Sequence, residues 1–174
     1  MKNMQGKLKN MKIDLIEKTG MYVDGREILF GSDIETVKEI LGTCDVYESN
    51  YYFLDGALAF WVDDNKRIIE MEARNARDDK IAVLFRALEI FKEKKEELLR
   101  RISVFNAAPL LNDGDGCSYF AKNLGVEFSF GMSEKEIEEL IEESKKDGVY
   151  EEMKEEIEGD IYRSKYIDSF LIRQ

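Results

Sequence analysis

The chain has 174 residues, with 26 Lys and Arg against 37 Asp and Glu, for a formal net charge of −11. That length suits one core, and the charge repels nucleic-acid phosphates and anionic lipid headgroups, so neither is expected as a partner. No stretch approaches the roughly 20 apolar residues of a membrane span, and Cys44 and Cys117 belong to no C-x-x-C pair.

In chain order, residues 1–12 read as a basic lead-in carrying Lys2, Lys7, Lys9 and Lys12, with Met4 and Met11 as alternative starts. They contain no apolar run that could serve as a signal peptide, so the expected location is cytoplasmic. Residues 13–174 are expected to form a single α+β domain, an antiparallel sheet with a long central helix and shorter capped helices packed on it. Thr19-Gly20 and Asp24-Gly25 punctuate the apolar stretches at 13–16 and 21–30, and the Asp-Gly pair predicts a hairpin of two antiparallel strands. Ser32 and Glu35 have capping-box spacing, Ile34, Val37, Ile40 and Leu41 form one apolar stripe, and Gly42 stands at the C-terminal position, which predicts a helix. Three meander strands follow over 51–54, 57–62 and 67–72, completing a first sub-unit at 13–77.

Over 78–103, apolar residues recur near every third or fourth position, at Ile81, Leu84, Phe85, Leu88, Phe91, Leu98, Leu99 and Ile102. This spacing predicts the long helix. The last sub-unit, 104–174, opens with Pro109 and an Asp-Gly-rich turn at 112–116 and regains strand character over 118–130. A helix capped by Ser133 and Glu136 then runs to Gly148. A short acidic helix ending at Gly159 and a final strand over 161–172 complete the reading. Residues 27–41 and 127–141 share a strand, a glycine and a capped helix, which fits either a degenerate internal duplication or a chance recurrence.

The chain contains no histidine, which removes the commonest general base near neutral pH and the commonest metal ligand. Neither G-x-G-x-x-G nor G-x-x-x-x-G-K-[ST] occurs. Asp113, Asp115 and Gly116 match part of a calcium loop, but Leu111 and Lys122 fall where ligands are needed, so a turn is expected. No metal or cofactor is expected, and a non-catalytic chain is the leading reading. An enzyme here would have to rely on carboxylates, lysine or tyrosine.

Two groups of residues are candidates for binding. Glu138, Glu139, Glu142, Glu151, Glu152 and Glu155 point outward from the two acidic helices and could dock on a basic protein or simply solubilise the surface. Tyr51, Tyr52 and Trp61 would serve as anchors if one sheet face is uncovered, and as core if the long helix covers it. An open strand edge or sheet face could also be closed by a second copy of the chain.

The stretch 31–71, with its capped helix, Leu41-Gly42, Tyr-rich strand and Asp-Asn turn, resembles the helix-plus-meander domains of the β-lactamase-inhibitor type. Lipoprotein members of that group would carry a lipobox, which this chain lacks. In its acidity and lack of catalytic motifs the whole chain resembles bacterial toxin-immunity proteins. That resemblance implies a protein that occludes a basic toxin. The alternatives are a small-molecule or peptide-binding module using the aromatic sheet face, and a carboxylate-dependent enzyme.

Overall fold

Phe85 and Phe170 meet with ring centroids 5.1 Å apart, and this contact joins the two sheets of the molecule. A computed structural model describes residues 10–77 and 79–174, so most of the basic lead-in lies outside the described residues. The fold is α+β. The smaller sheet has five strands in the order β3-β2-β1-β8-β9. They are β1 (Met11–Ile16), β2 (Gly20–Val23), β3 (Arg26–Leu29), β8 (Ile81–Phe85) and β9 (Leu88–Glu89). The larger sheet has eight strands in the order β10-β11-β12-β13-β7-β6-β5-β4. Its strands are β4 (Asp45–Tyr47), β5 (Asn50–Phe53), β6 (Leu58–Val62), β7 (Ile68–Arg74), β10 (Leu111–Asn112), β11 (Ser118–Ala121), β12 (Val126–Ser129) and β13 (Ser169–Arg173).

Among the described residues all strand pairings are antiparallel except β1 with β8. Alternation along the large sheet buries one face, with Phe53, Leu58, Phe60, Met71, Phe128, Phe170 and Ile172 at 0–1 % exposure. The buried face is covered by the small sheet, by α1 (Ile34–Leu41) and by α2 (Lys95–Asn106). Lys38 of α1 lies over the Tyr51 ring, and Leu98 and Ile102 of α2 are fully buried in the same core. One hydrophobic cluster runs through both sheets.

The long helix predicted over 78–103 does not form. Residues 81–89 are a strand hairpin of the small sheet, and only Lys95–Asn106 is helical. Ile81, Val83 and Phe85 also alternate with period two, and Val83 and Phe85 face the core opposite Ile13 and Leu15. The turn between β8 and β9 is Arg86-Ala87, both in the left-handed region at φ 48° and 64°. Neither residue favours that conformation, so the turn is invisible to residue-type rules. Arg86 is tied to Glu17 and lies over the Phe105 ring.

Three local expectations also change. The α1 cap is Asp33, whose carboxylate accepts from Glu35 N at 3.0 Å, while the Ser32 backbone is taken up by Leu29 and Ile68. The last helix, α4 (Tyr150–Lys165), passes through Gly159, and the final strand starts at Ser169 instead of 161. Tyr162 and Tyr166 stack at 4.7 Å, so their four-residue spacing is helical. The stretches at 27–41 and 127–141 do both give a hairpin strand and a capped helix. However, β3 is a sheet edge whereas β12 lies between β11 and β13.

Candidate functional site

Two helices, α3 (Glu134–Lys146) and α4, form an antiparallel pair at one end of the large sheet. The start of α3 is fixed by the predicted capping box. Ser133 Oγ accepts from Glu136 N at 3.2 Å, and Glu136 Oε2 accepts from Ser133 N at 2.9 Å and Oγ at 2.8 Å. The hydrogen bond from Ser133 N, and then that from its hydroxyl, hold the Glu136 carboxyl below the ordinary glutamate range. Gly148, at φ 74°, closes α3 and turns the chain into α4.

Ile137, Ser144, Ile157, Asp160 and Ser164 are the buried residues of this pair. It is held to the sheet by backbone and side-chain contacts. Gly131 N donates to Arg163 O at 3.0 Å, and a Cβ on Gly131 would lie 2.7 Å from Arg163 Cβ. Asn75 Nδ2 donates to Ile167 O at 3.0 Å, and Arg77 Nη2 to Gly159 O at 3.2 Å. The Arg77 guanidinium also lies 4.7 Å from the Tyr162 ring centroid.

Residues 134–158 carry twelve carboxylates against four lysines, eight of the chain's eleven net negative charges. Glu138, Glu139, Glu142, Glu151, Glu152 and Glu155 are all exposed. Only Glu139 among them has an ion pair among the described residues, with Lys135 at 3.4 Å. Helices of 13 and 16 residues extend about 20 and 24 Å. The acidity is therefore concentrated on one helical pair instead of being spread over the surface.

The aromatic candidates separate. Tyr51 is 8 % exposed on the buried face, beneath Lys38, so it is core and not an anchor. Tyr52 and Trp61 lie on the outer face of the large sheet, half-buried by their neighbours, and among the described residues no long helix covers them. The register places Trp61 in a row with Tyr47, Asn50, Glu70 and Arg173. Arg173 lies at the end of β13 away from α4, and Ser169 at the near end. Four residues of strand, about 13 Å, separate that row from the helical pair. The acidic and aromatic groups are thus distinct surfaces.

Sequence reasoning missed part of the outer face. Trp61 opposes Glu70 and Val62 opposes Ile68, so Ile69 is the extra residue of a bulge and stands 46 % exposed. The apolar doublet Ile68-Ile69 interrupts the alternation and is the signal that could have found it. Arg173 spans Glu127, at 3.1 Å, and Glu70. Its Nε lies 2.9 Å from Glu70 but off the hydrogen-bonding direction, so that contact is ionic only. Arg74 pairs with Glu72 at 2.7 Å and lies over the Tyr52 ring. The charges of this face are thereby largely paired with one another.

A cleft of about 170 Å³ opens between β7, the β8–β9 hairpin and α4. Its cations are already engaged, Arg74 with Glu72, Lys92 with Glu89 at 2.7 Å, and Arg77 with Gly159. In the loop at 112–116, Asp115 Oδ1 accepts from Cys117 N at 2.6 Å and Asn112 Oδ1 from Gly114 N at 2.8 Å. These bonds make a turn. Among the described residues no group of three or more His, Cys, Asp or Glu is placed to hold a metal ion. Cys117 and Cys44 are free, and burial, reinforced by Asp115 and Glu136, pushes the Cys117 thiol up. Among the described residues no helix is long and apolar enough to cross a membrane. No protein-family model, curated protein or solved structure matches the chain.

Proposed function

We propose that the chain is a non-catalytic protein-binding protein of the immunity type, which captures a basic partner such as a toxin domain on the α3–α4 pair. The observation that supports this reading is the array of Glu138, Glu139, Glu142, Glu151, Glu152 and Glu155, exposed and, among the described residues, almost free of ion pairs. Complementary potential of this kind speeds encounter and fixes orientation. Unpaired exposed carboxylates retain their field for a partner, whereas those of the outer sheet face are largely spent on Arg74 and Arg173.

The test is affinity capture from the native cell with the wild-type chain and with a variant carrying glutamine at those six positions. The wild type is expected to retain a basic protein that salt releases, and the variant to lose it. Equal recovery on both would refute the reading. A second reading, a peptide- or ligand-binding module on the outer sheet face, draws support from the bulge that exposes Ile69 beside Trp61 and Tyr47. Capture lost with Trp61→Ala but kept by the glutamine variant would favour it.

A further inference from the structure

Strand β4 ends the large sheet, and all three of its residues are exposed, Val46 at 54 % and Tyr47 at 68 %. Glu48-Ser49 links Tyr47 to its partner Asn50 as a two-residue turn. Such a turn makes Tyr47–Asn50 and Asp45–Tyr52 the hydrogen-bonded pairs of the hairpin. The N–H and C=O of Val46 therefore point away from β5, and among the described residues no strand takes them up. Natural edges are usually blunted by proline, a bulge, lysine or shortness; β4 spans three residues and has no proline, bulge or lysine. The opposite edge, β10, has only two residues and follows shortly after Pro109.

The chemistry beside this edge is specific. A mainly polar groove of about 310 Å³ continues it past Asp45, combining the carboxylates of Asp45 and Asp55 with smaller apolar contributions from Leu41, Tyr52 and Leu54. Glu48 adds a third carboxylate at the turn, and among the described residues no lysine or arginine lines the groove. The cation over the Tyr52 ring, Arg74, is paired with Glu72. An added strand would gain backbone hydrogen bonds at Val46, apolar contact in the groove, and charge pairing with the carboxylates.

We propose that β4 and its groove take up an extended segment of a partner protein as an added strand, a segment in which lysine or arginine alternates with apolar residues. This shares the basic partner of the reading above but uses a different surface. The probe is a short fluorescein-labelled peptide of alternating Lys and Val, titrated into the full chain by fluorescence anisotropy. Its controls are an alternating Glu and Val peptide and a copy N-methylated at alternate residues, which cannot complete strand pairing.

Saturable binding of the Lys-Val peptide is expected, weakened about tenfold or more for both controls and for Val46→Pro. Proline is compatible with the fold here because the lost N–H faces away from β5. Asp45→Asn with Asp55→Asn should weaken binding and flatten its salt dependence, and the six-glutamine helix variant should leave it unchanged. Peptide addition should also slow hydrogen exchange of the Val46 amide in the wild type, a readout that holds even if the proline variant fails to fold. The proposal is overturned if no peptide binds, if the N-methylated copy binds as well, if Val46 exchange is unaltered at saturation, or if only the helix variant loses binding.

Discussion

Replacing Phe85 and Phe170 by leucine, singly and together, tests the contact that joins the two sheets. Both rings are fully buried, with centroids 5.1 Å apart and planes at 49°. Leucine keeps the sites apolar but is smaller, so each single change, which loses buried area as well as the ring contact, should cost about 1–3 kcal/mol and leave the protein folded. A ring pair at this separation contributes roughly 0.5–1.5 kcal/mol beyond its buried area, and either single change already removes it. The double variant should therefore be less destabilised than the two singles summed, by that amount. Urea unfolding followed by circular dichroism gives the three differences against wild type. Additivity within about 0.3–0.5 kcal/mol, as found for sites that do not touch, would show that β8 does not pack against β13 as described.

Further outcomes follow from particular positions. Gly20→Ala should cost more than about 3 kcal/mol or prevent folding, because its Cβ would lie 2.1 Å from Ile28 O, and thermal unfolding reads this directly. Ala87→Gly should stabilise the protein by about 1 kcal/mol by relieving the left-handed backbone at φ 64°, raising the urea midpoint at constant slope. Glu136 has a folded pKa below its unfolded value of about 4.3, so its contribution is present above that pH and lost as pH falls through the folded value. The stability gap between wild type and Glu136→Gln should accordingly be widest near neutrality and close in acid, as followed by urea unfolding across pH.

Much of the local structure was legible. Asp24-Gly25 supplies two left-handed residues for the β2–β3 turn, and the Ser133–Glu136 box starts α3 where the spacing places it. The error over 78–103 has a physical origin. Ile81, Leu84, Phe85 and Leu88 satisfy a helical period while Ile81, Val83 and Phe85 satisfy a strand period, and local sequence does not decide between them. What decides is the parallel pairing of β8 with β1, 70 residues earlier in the chain, together with a turn at Arg86-Ala87 that no glycine or asparagine marks. Gly159 misled in the opposite direction. A glycine costs only about 1 kcal/mol inside a helix, and here its carbonyl is bound by Arg77, far away in sequence.

The candidate surfaces were legible in composition but not in arrangement. The acidity of 134–158 is read directly from the residues, and its outward projection follows from the helical period. Tyr51 and Tyr52 differ by a single residue, and strand alternation sends one into the core and the other to the outer face. Which of the two is outward depends on where α1 packs, and that is set by tertiary structure. The separation of Trp61 from the acidic helices likewise depends on the order and register of eight strands, which no local signal carries.

The central claim, capture of a basic partner on the α3–α4 pair, is tested most directly by the ionic-strength dependence of the captured protein's dissociation constant. It should be measured for the wild type and for the variant with glutamine at Glu138, Glu139, Glu142, Glu151, Glu152 and Glu155. Exposed charges are screened within about 8–10 Å at physiological salt, so the wild-type affinity should fall steeply as salt rises. The variant should bind weakly with a nearly flat dependence. Equal affinity and equal salt slopes for the two proteins would contradict the account.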